Sequence, residues 1–251
     1  MAWVESASPS FRARHESTYA DDVDRVLYSL ERTRERLARD FPQTVDGMSV
    51  VFHSGVASLS VACPLVPFTW IAAAPAARRY VAGWCGPEEL HVLRPDRLRA
   101  RASTVPGSRE MLAATASALY ARRVIIENNP DVPVRTTPRR IRAELRWAWL
   151  VEGAARWFGG QTMHAQPAIA RRLREGRRPA FPPGVRDAPL LGGTVIDLLV
   201  RERGEPAAAE LACRLHPRGR RAALREAFGG TSPARIEEAW RDHLARMAAG
   251  S

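Results

Sequence analysis

The feature that most constrains the fold is a change of hydrophobic pattern at Pro106-Gly107. Before this dipeptide, a long amphipathic segment at residues 19–41 predicts a helix, and several short apolar or alternating segments predict strands. Those strand segments are residues 10–16, 48–53, 56–60, 80–84 and 89–93. After the dipeptide, apolar residues recur at helical spacing. The sequence therefore predicts an α+β protein, in which a small mixed sheet lies beside the long helix and a mostly helical half follows.

The helical half is divided by glycines and prolines, which commonly end or begin helices. The predicted helices are residues 108–126, 139–158, 165–175, 193–203, 205–215, 218–228 and 232–247. A chain of 251 residues is long enough for one or two domains. We expect an α+β subdomain at residues 1–107 and a helical subdomain at residues 108–251, which can join into one continuous domain.

The chain is strongly basic, since 38 basic and 27 acidic side chains give it a formal charge of +11. All of the basic residues are arginine, which either a polyanionic partner or a genome rich in G and C would explain. The arginines are not gathered with aromatic residues in one stretch. They are spread over residues 94–101, 122–123, 135–146, 171–178 and 214–225. A nucleic acid is therefore a candidate partner, but not the favoured one.

The hydrophobic segments and the cysteine spacing argue against a membrane protein or a secreted protein. The longest apolar segment, residues 61–74, contains two prolines and is shorter than the ~18–20 residues of a membrane-spanning helix. Residues 1–10 lack the basic start and apolar stretch of a secretory signal. Cys63, Cys85 and Cys213 have no CxxC or CxxH spacing, which argues against a disulfide framework or a structural zinc site. We expect a cytoplasmic protein with no membrane contact.

The most informative motif is Trp-Leu-x-Glu-Gly-x-Ala, which begins at Trp149 and includes Glu152. It resembles the helix that supplies the third zinc ligand in gluzincin metallopeptidases, in particular the bacterial peptidase MA-like family. In that family an earlier helix carries His-Glu-x-x-His, and the glutamate of the second helix completes the zinc site, leaving one position for water. The resemblance implies a zincin-like fold with Glu152 at the position of the third ligand.

Other segments extend this resemblance over nearly the whole chain. Residues 11–41 resemble the opening strand and long helix of the family, and residues 89–95 resemble the strand before its zinc helix. Residues 194–204, 222–229 and 236–244 resemble its C-terminal helices. Their order and spacing agree with the family.

The zinc-binding residues themselves are missing from this sequence. Aligning residues 111–120 with the zinc helix puts Ala114 and Ala118 at the two histidine positions and Thr115 at the catalytic glutamate. A register shifted by two residues places Ala116, Ser117 and Tyr120 there instead. Neither register supplies a metal ligand or a general base of the right type. We therefore expect a vestigial site at Ala114, Thr115, Ala118 and Glu152, with no zinc and no other cofactor.

Two interpretations of Glu152 remain open at this point. It could belong to a rebuilt zinc site with histidines that are distant in sequence, namely His53, His91, His164 or His216. Alternatively, it is a buried carboxylate that a nearby arginine or backbone amides satisfy. The sequence His15-Glu16 begins like a zinc motif, but the fifth residue of that segment is Tyr19, so we reject it.

Three functions are compatible with these observations. The favoured one is a catalytically inactive metallopeptidase-like protein that serves as a binding or scaffold module for an unknown protein or peptide. Its two site helices would cross with Ala114 or Ala118 close to Glu152, and Leu119, Tyr120 and Trp149 would line or fill the space left by the missing imidazoles. The alternatives are an active zinc metallopeptidase with non-standard ligands and an arginine-rich binder of nucleic acid or an acidic partner.

Overall fold

The computed structural model describes residues 3–135, 137–176 and 178–250. Residues 1, 2 and 251, at the ends of the two expected subdomains, therefore lie outside the described part. Within it, five strands precede residue 94, and every α-helix but four follows that residue. The predicted α+β class, with the sheet near the N-terminus, is confirmed.

The sheet is mixed, as predicted, and its order is β1-β2-β3-β5-β4. The strands are β1 (Trp3–Ala7), β2 (Phe11–Glu16), β3 (Met48–His53), β4 (Gly83–Cys85) and β5 (Glu89–Leu93). The central strands β2, β3 and β5 are parallel, whereas β1 and β4 pair antiparallel at the two edges. One edge of the sheet is therefore the short strand β4, which faces the helical half.

The α-helices account for most of the remaining described residues. They are α1 (Ala20–Asp40), α2 (Val56–Ala62), α3 (Val66–Ala72), α4 (Pro75–Arg78), α5 (Pro95–Arg101), α6 (Ser108–Ala113), α7 (Thr115–Glu127), α8 (Pro138–Phe158), α9 (Gln166–Arg174), α10 (Gly193–Arg203), α11 (Glu205–Ala212), α12 (Arg220–Ala227) and α13 (Pro233–Ala249). A π-helical turn, Ala188–Gly192, leads into α10. In the described part of the chain, no helix has both the length and the hydropathy needed to cross a membrane.

Three predicted elements differ from the structure. Residues 56–60, grouped with the strands, belong to helix α2, because Ser58 exchanges hydrogen bonds with the backbone of Gly55 and so begins a helix there. The helix predicted over residues 108–126 is two helices, α6 and α7. The break lies at Ala114, where ψ is 7°. The edge strand is also shorter than predicted, since only Gly83–Cys85 pairs with β5.

Helices α7 and α8 pack against each other and against the sheet. The ring of Tyr120 on α7 meets Phe11 of β2 edge-on at 5.0 Å between centroids, which ties α7 to the sheet. Helix α8 approaches α7 closely at Gly159, where an added Cβ would lie 2.3 Å from Cα of Ala118. Because no side chain separates the two backbones there, the α7–α8 crossing is fixed.

Candidate functional site

A cleft of about 270 Å³ lies between the sheet edge and the helical half. Its walls come from α3, from residues 80–84 at β4, and from α7 and α8. Most of the lining is apolar, and two lining side chains at its mouth, Phe68 and Leu145, are 68% and 55% exposed. Concave apolar surface with a few polar groups is typical of a binding site.

The β4 wall presents backbone as well as side chains to the cleft. Five consecutive residues, Tyr80 to Trp84, line the cleft, and the last two of them, Gly83 and Trp84, belong to β4. The N–H of Leu93 donates to the carbonyl of Ala82 at 3.1 Å. In an antiparallel pair, the next residue, Gly83, then directs its N–H and C=O away from β5. This edge can pair with an extended chain.

The polar end of the cleft is an ion-pair cluster centred on Arg122 of α7. One guanidinium nitrogen of Arg122 donates to Glu152, and another lies 2.8 Å from Glu144 Oε1. The same Glu144 oxygen accepts from Nε of Arg140 at 2.8 Å. Burial alone would lower the pKa of Arg122, but the two carboxylates raise it above its usual value. Burial raises the pKa of Glu144, yet Arg122 and Arg140 hold it below its usual value.

Arg156, one turn after Glu152 on α8, is the second cation lining the cleft. It donates from Nη1 to Gln161 Oε1 at 2.7 Å and makes longer contacts, 3.4 and 3.5 Å, with the carbonyl of Tyr80. Its Nε lies 3.7 Å from Glu152 and has no hydrogen-bond acceptor. Burial lowers the pKa of Arg156, and Glu152 offsets this only in part. Arg156 is therefore the least compensated charge of the cluster.

Four of the residues singled out in the sequence meet in this cleft. Thr115, Ala118, Leu119 and Glu152 all line it, so the alanine-bearing helix and the glutamate-bearing helix come together. The hydroxyl of Thr115 donates to the carbonyl of Leu112 at 2.6 Å. This hydrogen bond engages the one polar group that Thr115 could have turned toward the cleft.

The other three singled-out residues do not line the cleft. Ala114 forms the break between α6 and α7. Tyr120 points toward the sheet, where its hydroxyl donates to the carbonyl of Val45 at 3.0 Å. Trp149 is fully buried. Neither Tyr120 nor Trp149 is therefore among the residues that line the cleft, and the expectation that one of them fills the space left by the imidazoles stays a prediction.

The partly buried carboxylate of Glu152 pairs with Arg122 and lies near Arg156, which is the kind of partner that the second of its two interpretations names. None of the four candidate histidines is among the residues that line the cleft. His53 and His91 instead contact each other on β3 and β5, with 3.1 Å between their ring nitrogens. In the described ranges, no group of three His, Cys, Asp or Glu side chains could hold a metal ion.

Sequence reasoning did not single out the arginines that dominate this site. A usable signal was present, because Glu144, Ala148, Glu152 and Arg156 follow one another at four-residue intervals and share one face of α8. Arg122 likewise stands four residues after Ala118. No comparable signal marks α3 as a wall, because its position depends on the tertiary fold.

Comparison with family models, curated proteins and solved structures gave no match to this chain. The metallopeptidase resemblance therefore stays a hypothesis, carried by the motif around Glu152 and by the order of the other segments.

Proposed function

We propose that this chain is a non-catalytic, metallopeptidase-like binding module, whose cleft takes an extended apolar segment of a protein partner. The observation that carries the proposal is the ion pair between Arg122 and Glu152. It places a guanidinium beside the carboxylate that, by the resemblance, would hold zinc. We also place the module in the cytoplasm, in keeping with its three free cysteines.

The chemistry of the polar end supports a non-catalytic role. A zinc peptidase needs an ion held by three protein ligands, a water activated by that ion, and a base to accept a proton. Glu152 already accepts a charge-assisted hydrogen bond from Arg122, and a fixed cation repels a metal ion from the same oxygens. By the resemblance, Thr115 or, in the shifted register, Ser117 would stand where the base is, and neither hydroxyl is a base near neutral pH.

The walls of the cleft support an apolar peptide as the occupant. An extended chain can add to the β4 edge through backbone hydrogen bonds at Gly83, while its side chains enter the apolar space beside α3 and α8. The exposed side chains of Phe68 and Leu145, at the mouth of the cleft, would be covered in the complex. Exposed apolar surface at a concave site commonly marks an interaction surface.

Binding of a fluorescein-labelled eight-residue peptide of Leu, Val and Ala tests this function by fluorescence polarisation. Phe68→Ser should weaken binding about tenfold or more, because a buried phenylalanine contributes ~1.5–3 kcal/mol of apolar burial. Ile71→Ser is the matched control, since Ile71 is on the same helix and equally exposed (67% against 68% for Phe68) but does not line the cleft. No binding, or equal losses in the two variants, would contradict the proposal.

The non-catalytic part is tested separately on protein purified without chelator. We expect elemental analysis to find far less than one zinc per chain, and no hydrolysis of casein when zinc is added. One zinc per chain, together with hydrolysis abolished by Glu152→Gln, would overturn this part of the proposal and favour an active peptidase with non-standard ligands.

A further inference from the structure

The ion-pair cluster at the polar end of the cleft carries an uncompensated positive charge. It contains three guanidinium groups, Arg122, Arg140 and Arg156, and two carboxylates, Glu144 and Glu152. Arginine stays protonated in proteins, so the five groups sum to +1. The neighbouring Cys85 does not change this sum, because burial raises the pKa of its thiol to about 11.

The contacts of the three arginines show that the extra charge belongs to Arg156. Arg122 and Arg140 each have a carboxylate oxygen within 2.8 Å of a guanidinium nitrogen, whereas the nearest carboxylate oxygen to Arg156 is at 3.7 Å. The side chain of Arg156 is only 11% exposed, and its direct hydrogen bonds go to neutral oxygens of Gln161 and Tyr80. A buried cation is costly unless an anion and hydrogen-bond acceptors accompany it.

The unused donors of Arg156 have the geometry that a carboxylate requires. The Nε and Nη2 edge of a guanidinium binds a carboxylate through two parallel N–H···O hydrogen bonds. Nε of Arg156 has no acceptor, and Nη2 has only the 3.4 Å contact with Tyr80. Arg156 lines the cleft, so its guanidinium lies beside the space that an anion would enter.

We infer that the cleft binds the C-terminal end of an apolar peptide, whose terminal carboxylate pairs with Arg156. This inference rests on the proposed function and specifies which part of the partner enters. The volume of about 270 Å³ lies just below the ~300–1,000 Å³ usual for ligand pockets, so it suits the last few residues of a chain. The β4 edge favours a peptide over a free fatty acid, because only a peptide offers backbone groups to Gly83.

The test compares two labelled peptides of the same Leu-, Val- and Ala-containing sequence, one with a free C-terminal carboxylate and one amidated. Polarisation titrations with the full chain should give a dissociation constant at least about tenfold lower for the acid, because hydrogen bonds to charged groups are the strong ones. Dodecanoate, added as a competitor, serves as the fatty-acid probe.

Variants of single arginines assign the effect to Arg156. Arg156→Gln should bring the ratio of the two dissociation constants, amide over acid, to about one, and this ratio is the readout because Arg156 itself lines the cleft. Arg171→Gln, at an exposed arginine on α9 outside the cleft, should keep the preference. Circular dichroism checks that each variant folds, and Arg156→Lys provides a second variant that keeps the charge but loses the two-pronged geometry.

The outcomes separate this inference from the proposed function. Equal affinity for acid and amide in the unmodified chain overturns the inference and leaves the binding function standing. Failure of both peptides to bind overturns the binding function itself. Dodecanoate that binds more tightly than the acid peptide overturns the assignment to a peptide terminus, and an acid preference that survives Arg156→Gln overturns the role of Arg156.

Discussion

At the scale of single residues, Arg122 determines what the carboxylates around it can do. Glu144 and Glu152 both face Arg122, and without a cation between them two partly buried carboxylates would repel each other. Arg122 contacts both, and its guanidinium also lies 5.3 Å from the ring centroid of Trp84. This arginine therefore links α7, α8 and the β4 edge through one side chain.

Removing one of these carboxylates tests how much the ion-pair cluster contributes to the free energy of unfolding. Glu144→Gln should lower the free energy of unfolding by about 3 kcal/mol, because it leaves buried guanidinium groups with one carboxylate fewer. The measurement is urea denaturation followed by circular dichroism. Glu237→Gln is the control, since Glu237 pairs with Arg241 at a more exposed i,i+4 position, and it should cost less than about 1 kcal/mol. Similar losses for the two variants would contradict this account.

At the scale of elements, helix α8 is held by contacts that admit no side chain. Gly153 faces the turn at Gly192, where an added Cβ would lie 2.4 Å from the carbonyl carbon. Gly159 faces Ala118 in the same way at the end of the helix. The two contacts fix the position of α8 along its axis and its rotation about that axis, so they also place Glu152 and Arg156 in the cleft.

Gly153→Ala should therefore destabilise the chain even though alanine favours a helix. Overpacking costs about 1–3 kcal/mol, which exceeds the gain of about 1 kcal/mol in helix propensity. Thermal denaturation measures the difference. Gly184→Ala is the control, because a Cβ there meets no atom within 4 Å, and we expect a change within about 0.5 kcal/mol. A Gly153→Ala variant as stable as the parent would show that the close approach does not fix α8.

Elements with strong local signals were predictable from the sequence. Strands β3 and β5 and helix α10 have the bounds that pattern alone indicates. The errors fall where the local signal is ambiguous. A five-residue segment such as residues 56–60 is too short for its periodicity to separate strand from helix. The break at Ala114 falls inside an unbroken run of residues suited to a helix, so it depends on packing rather than on the local sequence.

The candidate site was predictable only in part. The motif around Glu152 and the alanines of the earlier helix indicated two helices that meet, and Ala118 and Glu152 do share the cleft. The partner of Glu152 could not be chosen from sequence, because 38 basic residues offered many candidates and only the fold selects Arg122. The wall formed by α3 is likewise a product of tertiary packing.

At the scale of the whole molecule, part of the basic composition is internal. Among the residues that the structure describes, five arginines are less than 10% exposed, so their charges lie inside the chain and not on its surface. They are Arg122, Arg123, Arg140, Arg156 and Arg172. The formal charge therefore overstates the basic surface available to a nucleic acid, which supports the lower rank of that function.

The N-terminal and helical halves share contacts that should make them unfold together. Besides the contact between Phe11 and Tyr120, Arg36 of α1 donates to the carbonyl of Phe158 at the end of α8. We expect one urea transition, with coincident curves from far-ultraviolet circular dichroism and tryptophan fluorescence. The fluorescence reports on both halves because three of the seven tryptophans precede residue 107. Two separated transitions would show that residues 1–107 and 108–251 are independent domains.

The Arg122–Glu152 ion pair also sets the conditions for anyone who wishes to engineer a zinc enzyme on this scaffold. By the resemblance, the ion would sit beside Glu152, so histidines introduced at positions 114 and 118 would share that place with the guanidinium of Arg122, and Arg122 would have to become neutral in the same design. Position 114 lies at the break between α6 and α7, whereas two imidazoles need one continuous helix to face the same ion. The designer would therefore have to rejoin the helix before adding ligands, and the order of those steps would decide whether any intermediate variant binds metal.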